Sequence, residues 1–73
     1  MPGRAGITTR PHERRLEWMR EHPTLRGWRQ FGPFVSREQA QAWESLQRDC
    51  VRSGDGGERD TAGARWWGYR FDY

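Results

Sequence analysis

Residues 28–43 read WRQFGPFVSREQAQAW, and the order of residue types in that stretch dictates an extended segment, a turn and a helix. Gly32 tolerates backbone angles that other residues avoid and Pro33 fixes its own φ, so the chain turns there. Ser36 then opens a helix. Its hydroxyl can accept from the Gln39 amide while the Gln39 side chain reaches back to the Ser36 amide, a reciprocal capping box. Working upstream, residues 25–31 predict a strand with Leu25, Arg29 and Phe31 on one face and Trp28 and Gln30 on the other. Downstream, a helix is expected from Ser36 to about Val51, with Ala40, Trp43, Leu46, Cys50 and Val51 in one arc and Arg37, Glu38, Gln41, Ser45, Arg48, Asp49 and Arg52 opposite. That amphipathicity assigns Trp43 and Leu46 to a core.

The remaining segments are read by the same rules. The run PHERRLEWMREH, residues 11–22, has a proline where a first helical turn accepts it and Pro23 where a helix must stop. On it His12, Leu16 and Met19 share one face, whereas Trp18 lies with Arg14, Arg15 and His22. With Leu16 and Met19 turned to the core, Trp18 is left at the surface or must be covered by the N-terminal arm. The terminal run ARWWGYRFDY alternates Trp67, Tyr69, Phe71 and Tyr73 against Trp66, Gly68, Arg70 and Asp72, which predicts a strand. Residues 1–9 are small and polar and read as a flexible arm. Residues 53–63, SGDGGERDTAG, lack large apolar groups and read as a mobile loop.

These elements compose an α+β domain over residues 10–73: a two-stranded sheet covered by one amphipathic helix, with an additional N-terminal helix and a flexible Gly-rich loop. Antiparallel pairing is preferred, because eleven loop residues can reach back along the helix and antiparallel pairs do not need both sheet faces buried. In that arrangement the Tyr69 and Phe71 face packs on Trp43 and Leu46. Trp28 and Trp66 then share the open face beside arginines, either as a structural cross-strand pair or as a binding platform.

Composition bounds the function classes. Seventy-three residues, a third of them hydrophobic, allow one domain with a small core that leans on its aromatics. One cysteine excludes an intrachain disulfide and cannot hold zinc alone, which fits a reducing, cytoplasmic setting without membrane spans. The two histidines stand ten residues apart without a partner at ligand or triad spacing, and GDGG lacks the strand and helix of a phosphate loop. The Glu13, Glu17 and Glu21 stripe reads as a solvated helix face. No enzyme activity, metal or cofactor is therefore expected.

All thirteen basic residues are arginine, and residues 1–35 hold seven of them against three acids, while residues 36–73 hold six against seven. Codon bias alone produces such usage, yet arginine also forks onto carboxylates and phosphates and stacks on aromatics. The expected partner-binding residues are Arg14, Arg15, Trp18, Arg26, Trp28, Arg29 and Trp66, with Trp18 and the basic N-terminal helix as the anchor.

Two resemblances extend this reading. The stretch FGPFVSREQAQAW resembles the strand, GPF turn and helix start of the SPOR peptidoglycan-binding repeat, over 13 of 73 residues. The second strand-helix-strand repeat and the envelope address of that family are missing. As a whole, in its length, its Arg and Trp content and its lack of catalytic motifs, the chain looks like small phage-encoded inhibitors and antiterminators of bacterial RNA polymerase, of the kind found in Xanthomonas phage Xp10. That resemblance implies a monomer in the host cytoplasm that binds the large-subunit region of the polymerase, blocks promoter-dependent initiation and helps elongation past terminators. The alternatives are a small nucleic-acid-binding module in which arginines pair with phosphates and Trp28 or Trp66 stacks on bases, a SPOR-like glycan binder, or a phage inhibitor of CRISPR effectors.

Overall fold

A computed structural model of the chain describes residues 3–61 and 63–73. The elements run β1 (Gly3–Thr8), α1 (Pro11–Glu21), β2 (Arg26–Phe34), α2 (Arg37–Ser45), β3 (Val51–Arg52) and β4 (Trp66–Asp72). The four strands form one mixed sheet in the order β2-β4-β1-β3. β4 lies antiparallel to both β1 and β2, and the short β3 lies parallel to β1.

The expected two-stranded sheet under a single helix is thus overturned. The physical reason sits in residues 3–8. In GRAGIT, Ala5 and Ile7 alternate with Arg4, Gly6 and Thr8, and that period-two pattern is satisfied when the segment pairs with β4 through six registered positions, from Gly3 opposite Asp72 to Thr8 opposite Trp67. The expected arm is a central strand whose Ala5, Ile7 and Thr8 are fully buried; Met1 and Pro2 lie outside the described residues. With β1 beside it, β4 is flanked on both sides, and the two helices pack on opposite faces of the sheet.

On one face, α2 sets Ala40 and Trp43 against Ile7, Trp66 and Phe34. The Trp43 ring lies directly over Gly68, where any Cβ would meet its six-membered ring. On the other face, α1 sets Trp18 against Phe71, with ring centroids 5.4 Å apart, and Trp28 lies almost parallel to Tyr69 at 4.9 Å. Gly6 leaves room for the Tyr69 ring there in the same way. The Tyr69 and Phe71 face therefore packs on α1 and Trp28, not on α2 as expected, and the face carrying Trp66 and Gly68 is the one α2 covers.

α1 has the expected extent but the opposite orientation. Leu16 and Met19 are 44 % and 46 % exposed, while Arg14, Trp18 and His22 turn to the sheet. Helical spacing permits either face to point inward. The aromatic bed of Tyr69, Phe71 and Tyr73 selects the one bearing an indole, because Trp18 both stacks there and donates its Nε1 hydrogen to the Tyr69 hydroxyl at 2.9 Å.

α2 starts at its expected cap, with Ser36 Oγ accepting from the Gln39 amide at 3.2 Å. Gln39 Oε1 accepts from the Val35 amide at 3.3 Å rather than from Ser36. The helix ends at Ser45, six residues before the expected Val51, as Leu46 and Gln47 donate to carbonyls three residues back and Gln47 Nε2 caps the Trp43 carbonyl. Leu46, placed beyond that end, is 71 % exposed and is not a core residue.

Residues 53–63, expected to be mobile and without buried groups, are tied to the sheet. The Ser53 amide donates to Ala5 and the Ile7 amide to Gly54, extending the parallel pairing past β3. Asp60 accepts from the buried Trp66 Nε1 at 3.0 Å, and the Arg37 guanidinium grips Asp55. Ala62 is outside the described residues. Among the described residues no helix is long and apolar enough to cross a membrane.

Candidate functional site

The best-formed polar cluster is built around Glu58. Its carboxylate accepts from the Thr8 hydroxyl at 2.6 Å, the Thr9 amide at 2.8 Å, the Thr9 hydroxyl at 2.7 Å and Arg14 Nη2 at 2.5 Å. β1 delivers Thr8, the bend after it Thr9, α1 the arginine and the long loop the acid. Burial works against the Glu58 charge, but bonds from Thr8, Thr9 and Arg14 outweigh it and hold the carboxyl below its usual pKa. Burial likewise opposes the Arg14 charge, and the hydrogen bond and charge of Glu58 overcome it and raise that pKa. A carboxylate so fully supplied with donors is a clamp. It has no lone pair left over for a proton in transit.

The expected binding residues separate into two groups. Arg14 is locked to Glu58 and Glu17. Trp18 is half-buried under Arg4, whose guanidinium carbon lies 5.1 Å from its ring centre. Trp66 is fully buried. None of these three is available as an exposed anchor, and Trp28 cannot share a platform with Trp66, since the two lie on opposite sides of the sheet. Trp28 itself is half-buried, stacked flat on Tyr69 and on Phe71.

Arg15, Arg26 and Arg29 are exposed. Together with Arg20, Arg48, Arg52, Arg59 and Arg65, Arg15 and Arg29 hold no ion pair among the described residues. The acids are distributed otherwise. Glu13, Glu17, Asp49, Asp55 and Glu58 sit in ion pairs, Glu44 accepts from the Gly54 amide, and Asp60 holds Trp66. Nine of the thirteen arginines and six of the ten acids are exposed, so the surface keeps the basic excess of the chain as a whole.

α1 adds an apolar element to that surface. Arg15, Leu16, Met19 and Arg20 are all exposed, and at 100° per residue they form one contiguous outward face with the two apolar side chains between the two arginines. Sequence reasoning placed Leu16 and Met19 inside and missed this face; the signal for it was the rival stripe of Arg14, Trp18 and His22. Glu58, Thr8 and Thr9 carried no usable signal, because their meeting depends on contacts about fifty residues apart.

An open groove of about 440 Å³ runs between Pro33, Phe34 and Val35 and residues 63–65. No carboxylate, imidazole or thiol lines it. Among the described residues no group of three His, Cys, Asp or Glu side chains converges as a metal site. Cys50 is half-buried, and burial pushes its thiol pKa up, away from a reactive thiolate. No family model, curated protein or solved structure matches this chain.

Proposed function

We propose that this chain is a stoichiometric binding protein that docks the outward face of α1 on an acidic protein surface, and that it works by occupying that surface rather than by chemistry. The observation that carries this reading is the grouping of Arg15, Leu16, Met19 and Arg20, two apolar groups 44 % and 46 % exposed between two cations on one rigid helix. Interfaces of this type draw affinity from desolvated apolar anchors and orientation from flanking charge. The partner proposed is a bacterial transcription complex, with inhibition of initiation or antitermination as the outcome. That choice rests on the likeness in size and character to phage regulators of RNA polymerase.

Purified bacterial RNA polymerase titrated with the chain, read by binding and by promoter-dependent run-off transcription, tests it. Saturable one-to-one binding that is lost in Leu16→Glu, with that variant still folded, supports the proposal; no binding to the polymerase sinks the named partner.

A second reading is direct nucleic-acid binding, favoured by the exposed, unpaired arginines. Phosphate contacts give a steep salt dependence, with log K falling by about 0.7 per phosphate neutralised for each unit of log salt on a single strand. Docking through Leu16 and Met19 is far less sensitive. A salt titration against a single-stranded oligonucleotide and against the polymerase separates the two.

A further inference from the structure

Four arginines are half-buried in the fold: Arg4, Arg14, Arg37 and Arg70. Three of them face a carboxylate, Arg14 on Glu58, Arg37 on Asp55 and Arg70 on Asp49. Arg4 faces none. A partly desolvated guanidinium needs an anion, or an equivalent set of acceptors, to offset the loss of water.

What surrounds Arg4 is polar and aromatic. Nη1 donates to Ser53 Oγ at 3.1 Å, and Nη2 reaches the Tyr73 hydroxyl at the long distance of 3.5 Å. The rings of Trp18 and Tyr73 lie 5.1 and 5.7 Å from the guanidinium carbon. Nε is inaccessible and has no acceptor. Each terminal nitrogen carries two hydrogens, so Nη1 and Nη2 each keep one without an acceptor among the described residues. Ser53 and Tyr73 use their oxygens as acceptors toward Arg4, which leaves both hydroxyl hydrogens without a protein acceptor as well. Four donors from β1, the segment after β3 and the end of β4 are thus gathered around one guanidinium, and no acid among the described residues pairs with it.

We propose that Arg4, Ser53 and Tyr73 form a binding site for a single oxyanion, a carboxylate or phosphate group held end-on by the two terminal guanidinium nitrogens and by both hydroxyls. The site lies apart from the outward face of α1, and the proposal holds whichever partner that face engages. The Glu17 and Glu21 carboxylates line a groove along α1 with Arg14, Trp18 and Arg20, and neither pairs with Arg4.

The test is a titration of the whole chain with inorganic phosphate and, separately, with acetate, at ionic strength held constant with sodium chloride. The indole N–H of Trp18 and the ring of Tyr73 are followed by NMR. A saturable shift at both, in the millimolar range or tighter, is expected with phosphate. The same response to acetate identifies a carboxylate-bearing ligand as equally acceptable, and a response to phosphate alone restricts the class to phosphate groups. Tyr73→Phe and Ser53→Ala keep the packing and each remove one donor, so each should weaken binding roughly tenfold or more. Arg4→Gln should abolish it; if that variant does not fold, the two hydroxyl variants carry the test. Shifts no larger than those with chloride, or binding unchanged in both hydroxyl variants, overturn the proposal.

Discussion

Replacing Glu58 with Ala removes the one acceptor shared by Thr8, Thr9 and Arg14. The Glu58 side chain is 7 % exposed and that of Arg14 15 %, so the cluster is buried rather than screened at the surface. Deleting one partner of such a pair costs about 3–5 kcal/mol when the remaining charge stays fully buried. Arg14 keeps Glu17 at 3.2 Å as a second, exposed partner, which lowers the expectation to about 2–4 kcal/mol. A domain of this size has roughly 4–11 kcal/mol in total, so the variant should lose a large part of it. At about 4–8 °C per kcal/mol, a loss near the middle of that range lowers the melting temperature by roughly 12–24 °C.

Urea denaturation followed by circular dichroism measures the loss directly. The pH dependence supplies a second readout. The folded-state pKa of Glu58 lies below its ordinary value, so its contribution is complete above the unfolded pKa of about 4.3 and disappears as pH falls through the lower folded value. Wild type should therefore lose stability between pH 5 and the acid limit more steeply than Glu58→Gln. A Glu58→Ala variant within about 0.5 kcal/mol of wild type would refute the reasoning and return the loop to the status of a free linker.

Two further outcomes follow from the packing. Trp66→Ala should remove a large part of the stability, because emptying a fully buried indole site costs about 3–5 kcal/mol; a cooperative melt near that of wild type would show that α2 does not depend on it. Leu16→Ala combined with Met19→Ala should shift stability by less than about 0.5 kcal/mol per site while weakening partner binding, and a large loss of stability in the same urea assay would place these residues in a core they do not reach.

Local chemistry was sufficient for everything that depends on near neighbours. Pro11 and Pro23 bounded α1, Ser36 capped α2, and the alternation of residues 66–73 marked β4 with its two faces correctly divided, whereas Gly32 and Pro33, expected to end the strand in a turn, lie inside β2 at a register shift between Phe31 and Phe34, and the chain bends only at Val35 and Ser36. These features rest on backbone sterics and hydrogen bonds within a few residues.

Tertiary structure decided the rest, since it depends on pairings between distant segments. GRAGIT has two apolar side chains of any use and becomes a strand only when β4 is there to pair with it. Arg14, Trp18 and His22 face inward over Leu16 and Met19 because Tyr69, Phe71 and Glu58 offer stacking, a hydroxyl and a carboxylate that lie more than forty residues away. The loop from 53 to 63 is held because Glu58 and Asp60 meet donors from β1, α1 and β4. Loop composition governs how freely a segment moves before folding, and the partners it finds afterwards govern whether it keeps that freedom.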